Sequence, residues 1–342
     1  MKRLLILGSA VLGLLLLVAA FAAIKVSSFL HTPVTVGDSG IDFIIESGAS
    51  FRAVSDELAK QGVISDSRAF RAYARWTGKA SAIHAGDYHI RAGTTPKELL
   101  GQFTSGDVTL YAFTIIEGWN HWELLQALRD DDLIRATLTD EDWPVLLDEL
   151  GADGAHPEGL FLPETYRFPR NTSDREVLAQ AYDLMQDVLA EEWQAKAENI
   201  PIATPYEALI LASIIEKETA RGDERARISG VFTRRLEKRM RLQTDPTVIY
   251  GIGPDFNGNL TRRDLQTDTP YNTYTRGGLP PTPIAMPGRA AINAALHPAD
   301  GEELYFVATG LGDGSHAFSA TKDEHDAAVA EYLRRLRQQR NQ

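Results

Sequence analysis

The chain opens on Leu4 to Ile24, a run whose one polar member is Ser9. At 1.5 Å rise per residue a helix over this run is about 31 Å long, the thickness of a hydrocarbon core. The pattern then changes. Residues 31–40, with Pro33, Gly37 and Gly40, read as a linker. Ile41 to Ile45 reads as a strand; Ser50 stands where a helix carrying Val54, Leu58 and Ala59 would begin, and Gly62 just past its end. A second helix is predicted from Ala69 to Trp76 and a second strand from Asp87 to Ile90. Thr94-Thr95-Pro96 opens a third helix, with the proline in its first turn. Strand, two helices, strand, helix describes a small α+β module over 41–108.

Beyond it, Leu110 to Ile116 is a β-branched and aromatic run ended by Glu117-Gly118, a further strand. Helical periodicity follows over 121–150, 174–198 and 204–221. From Gln243 to about residue 290, Pro, Gly, Asn, Thr and Tyr replace periodicity, and so long a loop inside a compact domain is more often functional than idle. A hairpin, Leu304 to Thr309 with His316 to Ser319, and a basic helix from Lys322 close the chain. The fold class is therefore α+β: an N-terminal transmembrane helix with its cytoplasmic tip over 1–30, the linker, the small module, and a larger mixed α/β domain over 109–342.

Composition narrows the function. Hydrophobic residues at 44% and charged residues at 24% are those of an ordinary globular protein, which excludes disorder and rod-like assemblies. A net charge of −12 argues against nucleic acid, whose phosphates require a basic surface, and makes an anionic bilayer surface a poor partner as well. With no cysteine there is no disulfide, no thiolate metal site and no lipid-modified cysteine. His316 and His325 flank Asp323 and Glu324 without an i, i+4 pair, so no metal is expected. Gly310-Leu311-Gly312-Asp313-Gly314 leads from strand to strand and reads as a hairpin turn, so no cofactor is expected either. Lys2 and Arg3 precede the apolar run and Lys25 alone follows it before Arg52, which puts the N-terminus in the cytoplasm and exports the remainder. Ala20-Phe21-Ala22 fits a signal-peptidase site, yet the run exceeds the about 7 to 15 apolar residues of a signal peptide, so a retained anchor is expected.

The candidate chemistry sits at the end of one helix. Thr204-Pro205-Tyr206-Glu207 has capping-box spacing, and Ala208 to Ile215 is apolar nearly all round, which predicts a buried helix. Out of it come Glu216-Lys217-Glu218. Residues two apart on a helix point about 200° apart, so the two carboxylates do not face each other. Glu218 continues the stripe Leu211, Ile214, Ile215, whereas Glu216 continues the smaller and more polar stripe Leu209, Ala212, Ser213. A carboxyl on the greasier side loses solvation and its pKa rises, the property of a general acid. Glu218 is thus the candidate proton donor; the plainer alternative is two surface charges at a fraying helix end. Downstream, Gln243-Thr244-Asp245 and Tyr271-Asn272-Thr273-Tyr274 gather amides, hydroxyls and rings suited to a polyhydroxylated, uncharged ligand, although each is also an ordinary turn former.

These segments together resemble a known family. Ala212-Ser213-Ile214-Ile215-Glu216-Lys217-Glu218-Thr219, Arg241-Leu242-Gln243-Thr244-Asp245-Pro246-Thr247-Val248-Ile249-Tyr250-Gly251, Tyr271-Asn272-Thr273-Tyr274 and Gly278-Leu279-Pro280-Pro281 are similar, in that order, to the endolytic murein transglycosylases, the MltG or YceG-like family. Ala85-Gly86-Asp87-Tyr88, Glu158 to Tyr166 and Ala295-Leu296-His297-Pro298 extend the resemblance over nearly the whole chain.

The resemblance implies a single-pass inner-membrane enzyme with a periplasmic catalytic domain and a LysM-like glycan-binding module over 41–108. Such an enzyme cuts the β-1,4 bond between N-acetylmuramic acid and N-acetylglucosamine in nascent strands, beside peptidoglycan synthases, and leaves a 1,6-anhydro end. It places the catalytic carboxyl on Glu218 and makes Glu216, Gln243, Thr244, Asp245, Tyr250, Tyr271, Asn272, Tyr274 and Glu164 its supporting or substrate-binding residues. Two other readings compete. One is a membrane-tethered glycan-binding scaffold without chemistry; the other is a hydrolase with a second carboxylate, Asp245 or Glu164, about 5 to 9.5 Å across the cleft.

Overall fold

The computed structural model describes residues 2–152 and 156–340; Met1 of the expected cytoplasmic tip, and residues 153–155 and 341–342 of the expected catalytic domain, lie outside them. The first helix, α1, runs over Lys2–His31. Within it Leu12–His31 is long and apolar enough to cross a membrane, and Leu14 to Val18, Phe21 and Ile24 are exposed, which is compatible with a single-pass anchor. The chain divides into two units, 1–111 with 167–171, and 112–166 with 172–342.

In the first unit the order after α1 is β1 (Ile41–Ile45), α2 (Phe51–Lys60), α3 (Ser67–Trp76), β2 (Gly86–Ile90) and α4 (Pro96–Ser105). β1 and β2 pair antiparallel with Phe43 opposite Tyr88. Alternation does what the pleat requires: Phe43 and Ile45 are buried, Asp42 and Ile44 exposed. The side chains of Leu58, Phe70, Tyr88, Leu99 and Phe103 complete the core, and the helices are set by their caps. Ser50 accepts from the Ala53 N–H at 3.2 Å, and Thr95 and Glu98 form a reciprocal capping box ahead of Pro96. Gly86 sits at φ +143°, where a Cβ would come within 2.6 Å of Val108, so both backbone and space demand glycine. The last turns of α1 pack on α3 and α4, with Leu30 buried and the Phe29 ring 6.4 Å from Phe70.

β3 (Leu110–Thr114) leads into the second unit, which holds α5 (His121–Asp130), α6 (Trp143–Glu149), α7 (Asp174–Gln194), α8 (Pro205–Glu218) and α9 (Arg225–Glu237), while β4 (Thr165–Pro169) runs from it into the 167–171 segment of the first. There follow α10 (Asp245–Ile252), α11 (Arg262–Gln266), α12 (Arg289–Leu296), β5 (Tyr305–Ala308), β6 (His316–Ser319) and α13 (Lys322–Arg340). The helical pattern over 121–150 breaks in two. Three successive aspartates, Asp130 to Asp132, oppose the negative end of α5, and the Asp131 carboxylate takes the Leu133 N–H at 2.8 Å to turn the chain. The stretch from Gln243 is not all loop: it holds α10, with Pro246 in the first turn, and α11, opened by a Thr261–Asp264 capping box. Both are too short to display a helical period.

α8 is the axis of this unit. It is buried from Ala208 to Ile215 and packs against α12, α7, α9 and α10. Thr204 caps it by accepting from the Glu207 N–H at 3.1 Å, but the box is not reciprocal, since Glu207 accepts from the Ala203 N–H instead. Ser213 donates to its own helix at Ile210 and accepts from the Ile284 N–H at 3.0 Å, which pins the 280s loop to the core. β5 and β6 form an antiparallel hairpin with α13 packed on it.

Candidate active site

The exit of α8 from the core brings the two carboxylates to different surroundings. Thr219 turns extended, at φ −149° and ψ 134°, and ends the helix immediately after Glu218. The Glu216 side chain is 5% exposed and fully engaged: the Arg225 guanidinium lies 3.0 Å from one oxygen, and the Gly288 N–H donates to the other at 3.0 Å. Burial pushes its pKa up, while Gly288 and Arg225 draw it back. A side chain at Gly288 would collide with Glu117, which lies 3.5 Å from the same arginine. Glu216 therefore braces α8 to α9 and to the loop before α12.

Glu218 has no ion-pair partner among the described residues. Its Oε1 accepts a short hydrogen bond from the Thr244 hydroxyl. Burial pushes its carboxyl up to about 7; the Thr244 hydrogen bond lowers it, the charge of neighbouring Asp245 raises it, and His316 and Arg235 lower it. At neutral pH this group is poised between acid and carboxylate, the condition for giving and then taking a proton.

The chain delivers Thr244 to it with care. Gln243 adopts a left-handed backbone at φ +51°, and its N–H donates to the Thr273 carbonyl at 3.2 Å. The Thr244 N–H donates to the Thr273 hydroxyl at 3.1 Å, and the Thr247 hydroxyl closes back on the Thr244 carbonyl at 2.8 Å. Asp245 then opens α10 and accepts from the Tyr274 hydroxyl at 2.5 Å. Glu218, Gln243, Thr244, Asp245 and Tyr274 together line a cleft of about 470 Å³.

The remaining sequence candidates lie elsewhere. Asn272 is a buried loop brace: its amide donates to the carbonyls of Asp264, Leu265 and Thr267. Tyr250 stacks on Trp122 at 5.3 Å and meets the Tyr271 ring at 4.9 Å, and the Tyr271 hydroxyl bonds Thr282. Beside them the fully buried Glu158 accepts from His121 Nδ1 at 2.7 Å. Glu164 lines a separate cavity with Glu117 and Arg225. Neither Tyr250, Tyr271, Asn272, Glu164 nor Glu216 lines the Glu218 cleft.

The cleft is also lined by side chains that the sequence reading did not assign to it, among them Arg235, Tyr305, Lys322 and His325. Arg235 is buried and donates to the carbonyls of Leu304 at 2.6 Å and Leu242 at 2.8 Å, so it ties the loop before Gln243 to the strand β5. Its guanidinium also lies over the Tyr305 ring at 5.1 Å, and His325 stacks on that ring at 5.2 Å with 23° between planes. His325 Nδ1 is buried without a hydrogen-bond partner among the described residues. One signal was available in the sequence, since Lys322, His325 and Val329 recur at i, i+3 and i+7, one face of α13.

Three comparisons bear on this arrangement. The YceG-like family profile matches residues 43–331. A Bacillus subtilis protein named endolytic murein transglycosylase is 33% identical over 311 residues, 86% of this chain and 85% of that protein. A protein of the same name from Streptococcus pneumoniae serotype 2 is 27% identical over 84% of this chain and 58% of its own length. The crystal structure of a yceG-like protein from Listeria monocytogenes superposes with a TM-score of 0.51 at 26% identity, covering 85% of this chain and 99% of that one.

Proposed function

The chain belongs to the YceG-like family, and on that premise we propose that it is an endolytic murein transglycosylase whose catalytic group is Glu218. The observation that carries the assignment is the Glu218 carboxyl itself: unpaired by any cation among the described residues, hydrogen-bonded by Thr244 and raised to about 7 in the cleft. Its substrate is the β-1,4 bond between N-acetylmuramic acid and N-acetylglucosamine. Protonated Glu218 gives its proton to the leaving glycosidic oxygen as the C1–O bond breaks. The resulting carboxylate takes the proton from the muramoyl C6 hydroxyl, whose oxygen bonds to C1 and closes the 1,6-anhydro ring. No water is consumed and the carboxyl ends the cycle protonated, so one residue serves both steps.

The setting follows the same reading. α1 is the single-pass anchor in the inner membrane, with the N-terminus cytoplasmic and the cleft periplasmic, where nascent strands leave the synthases. The module over 41–108 is LysM-like and holds the glycan, and cutting within a strand ends its elongation.

A second carboxylate, Asp245, shares the cleft, and a two-carboxylate hydrolase is the reading it would favour. End-group analysis separates the two. Full-length protein incubated with uncross-linked glycan strands is expected to yield 1,6-anhydro ends by mass spectrometry, and Glu218→Gln none. Reducing ends would overturn the transglycosylase chemistry; cutting by Glu218→Gln would overturn the residue.

A further inference from the structure

The whole-chain charge of −12 conceals a local reversal in the first unit. From Ser67 to Gly86 there is no acidic residue, while Arg68, Arg71, Arg75 and Lys79 fall within it. Arg71 is paired with Asp56; Arg68, Arg75 and Lys79 are exposed and have no ion pair among the described residues. In the same stretch Trp76 is 84% exposed, a cost that water does not repay for so large an aromatic surface.

Position explains the combination. A groove of about 570 Å³ is lined from α1 by Ala23, Val26 and Leu30 and from α3 by Ala72, Tyr73 and Trp76. Ala23 stands at the end of the apolar run Leu4 to Ile24, so Trp76 lies at the level where that run stops. On α3, Arg68, Ala72, Arg75 and Trp76 fall within about 100° of one another, one face of the helix. Tryptophan at the hydrocarbon boundary with arginine and lysine among headgroups is the arrangement a bilayer interface selects. A basic cluster beside a membrane helix is further attracted by anionic lipid.

Resting on the reading of α1 as an anchor, we infer that this face of α3 is a membrane-docking surface: Trp76 enters the interface of the leaflet from which α1 emerges, and Arg68, Arg75 and Lys79 contact anionic headgroups. The last turns of α1 pack on α3 and α4, which holds the first unit close to the point where the anchor emerges. Docking at Trp76 fixes its orientation to the membrane plane.

Tryptophan fluorescence tests this with the full chain, because α1 contains no tryptophan and the other four, Trp119, Trp122, Trp143 and Trp193, belong to the second unit. The protein is reconstituted into vesicles of phosphatidylglycerol and phosphatidylethanolamine whose acyl chains are brominated near the headgroup. Quenching of emission is expected, its removal by Trp76→Phe, and its weakening both by Arg68→Glu with Arg75→Glu and by replacing phosphatidylglycerol with phosphatidylcholine. A chain that resists alkaline carbonate yet shows no Trp76-dependent quenching overturns the docking and leaves the anchor standing. A chain that carbonate extracts overturns both. Emission of Trp76 that responds to soluble glycan strands and not to brominated lipid overturns the docking in favour of a sugar-binding face.

Discussion

The Thr244 hydroxyl donates to the Glu218 carboxyl, and residue 244 also carries the chain into Asp245, whose charge acts on the same group in the opposite sense. Burial raises this pKa most, and two adjacent residues adjust it from opposite sides. The hydrogen bond favours the ionised form and the negative charge disfavours it. In the proposed mechanism catalysis begins with a protonated Glu218, so kcat/KM is expected to be level on the acid side of about 7 and to fall by about tenfold per pH unit above it. Thr244→Val should move that alkaline limb to higher pH, and Asp245→Asn to lower pH. Profiles of anhydro-end formation from pH 5 to 9 check both signs; a limb that stays fixed in both variants would show that the titrating group is not Glu218.

The same displacement makes a stability prediction. Between its ordinary value of 4.5 and about 7, Glu218 holds a proton in the folded chain that the unfolded chain has lost. Stability therefore declines as pH rises through that window, by an amount on the order of 3 kcal/mol when complete. Glu218→Gln removes the penalty. Its melting temperature should match the parent near pH 4.5 and exceed it increasingly up to pH 8, while anhydro ends disappear.

Glu216 answers to a different logic, since its side chain is buried against a cation. Arg225→Met should strand it and destabilise the fold by about 3 to 5 kcal/mol, whereas Arg225→Met with Glu216→Gln should recover most of the loss, because the pair roughly balances its own desolvation. Urea unfolding of the two singles and the double gives the coupling directly. Additive losses would mean that the two side chains do not act as a pair.

How far the sequence reached depends on the range of the interactions involved. The caps at Ser50, Thr95 and Thr204, the strand alternation at Phe43 and Ile45 and the buried face of α8 are encoded within a few residues, and all were legible. α10 was not, because eight residues with Pro246 in the first turn carry too little periodicity to outweigh the Thr, Pro and Tyr around them. Glu216 and Glu218 were separable as two faces of one helix. What distinguishes them physically, a guanidinium for one and a hydroxyl for the other, comes from Arg225 and Thr244, whose placement no local pattern discloses. Tyr250 and Tyr271 read as sugar platforms because aromatic loop residues suit sugars; that their rings meet Trp122 and each other joins distant segments of the chain and has no local signature. The hairpin and α13 reach Glu218 from about a hundred residues away, through side chains that alone resemble an ordinary basic helix.

That last group yields the most direct test of the cleft. His325 lines the cleft, stacked on Tyr305, and with Nδ1 buried it is Nε2 that is left to meet substrate. Burial, and then the charge of Lys322, draw its pKa below the usual histidine value, so at neutral pH it is uncharged and Nε2 donates or accepts one hydrogen bond according to the tautomer. The role we propose for it is to bind the glycan, not to transfer the proton. His325→Ala should therefore raise KM by about tenfold, the cost of one hydrogen bond, and leave kcat within a few-fold of the parent. Because Tyr305 also loses a packing partner, His325→Phe serves as the companion: it restores stacking and melting temperature but not the hydrogen bond. Recovery of KM in the phenylalanine variant would show that His325 only supports Tyr305, whereas a KM that stays high in both assigns the imidazole to the glycan.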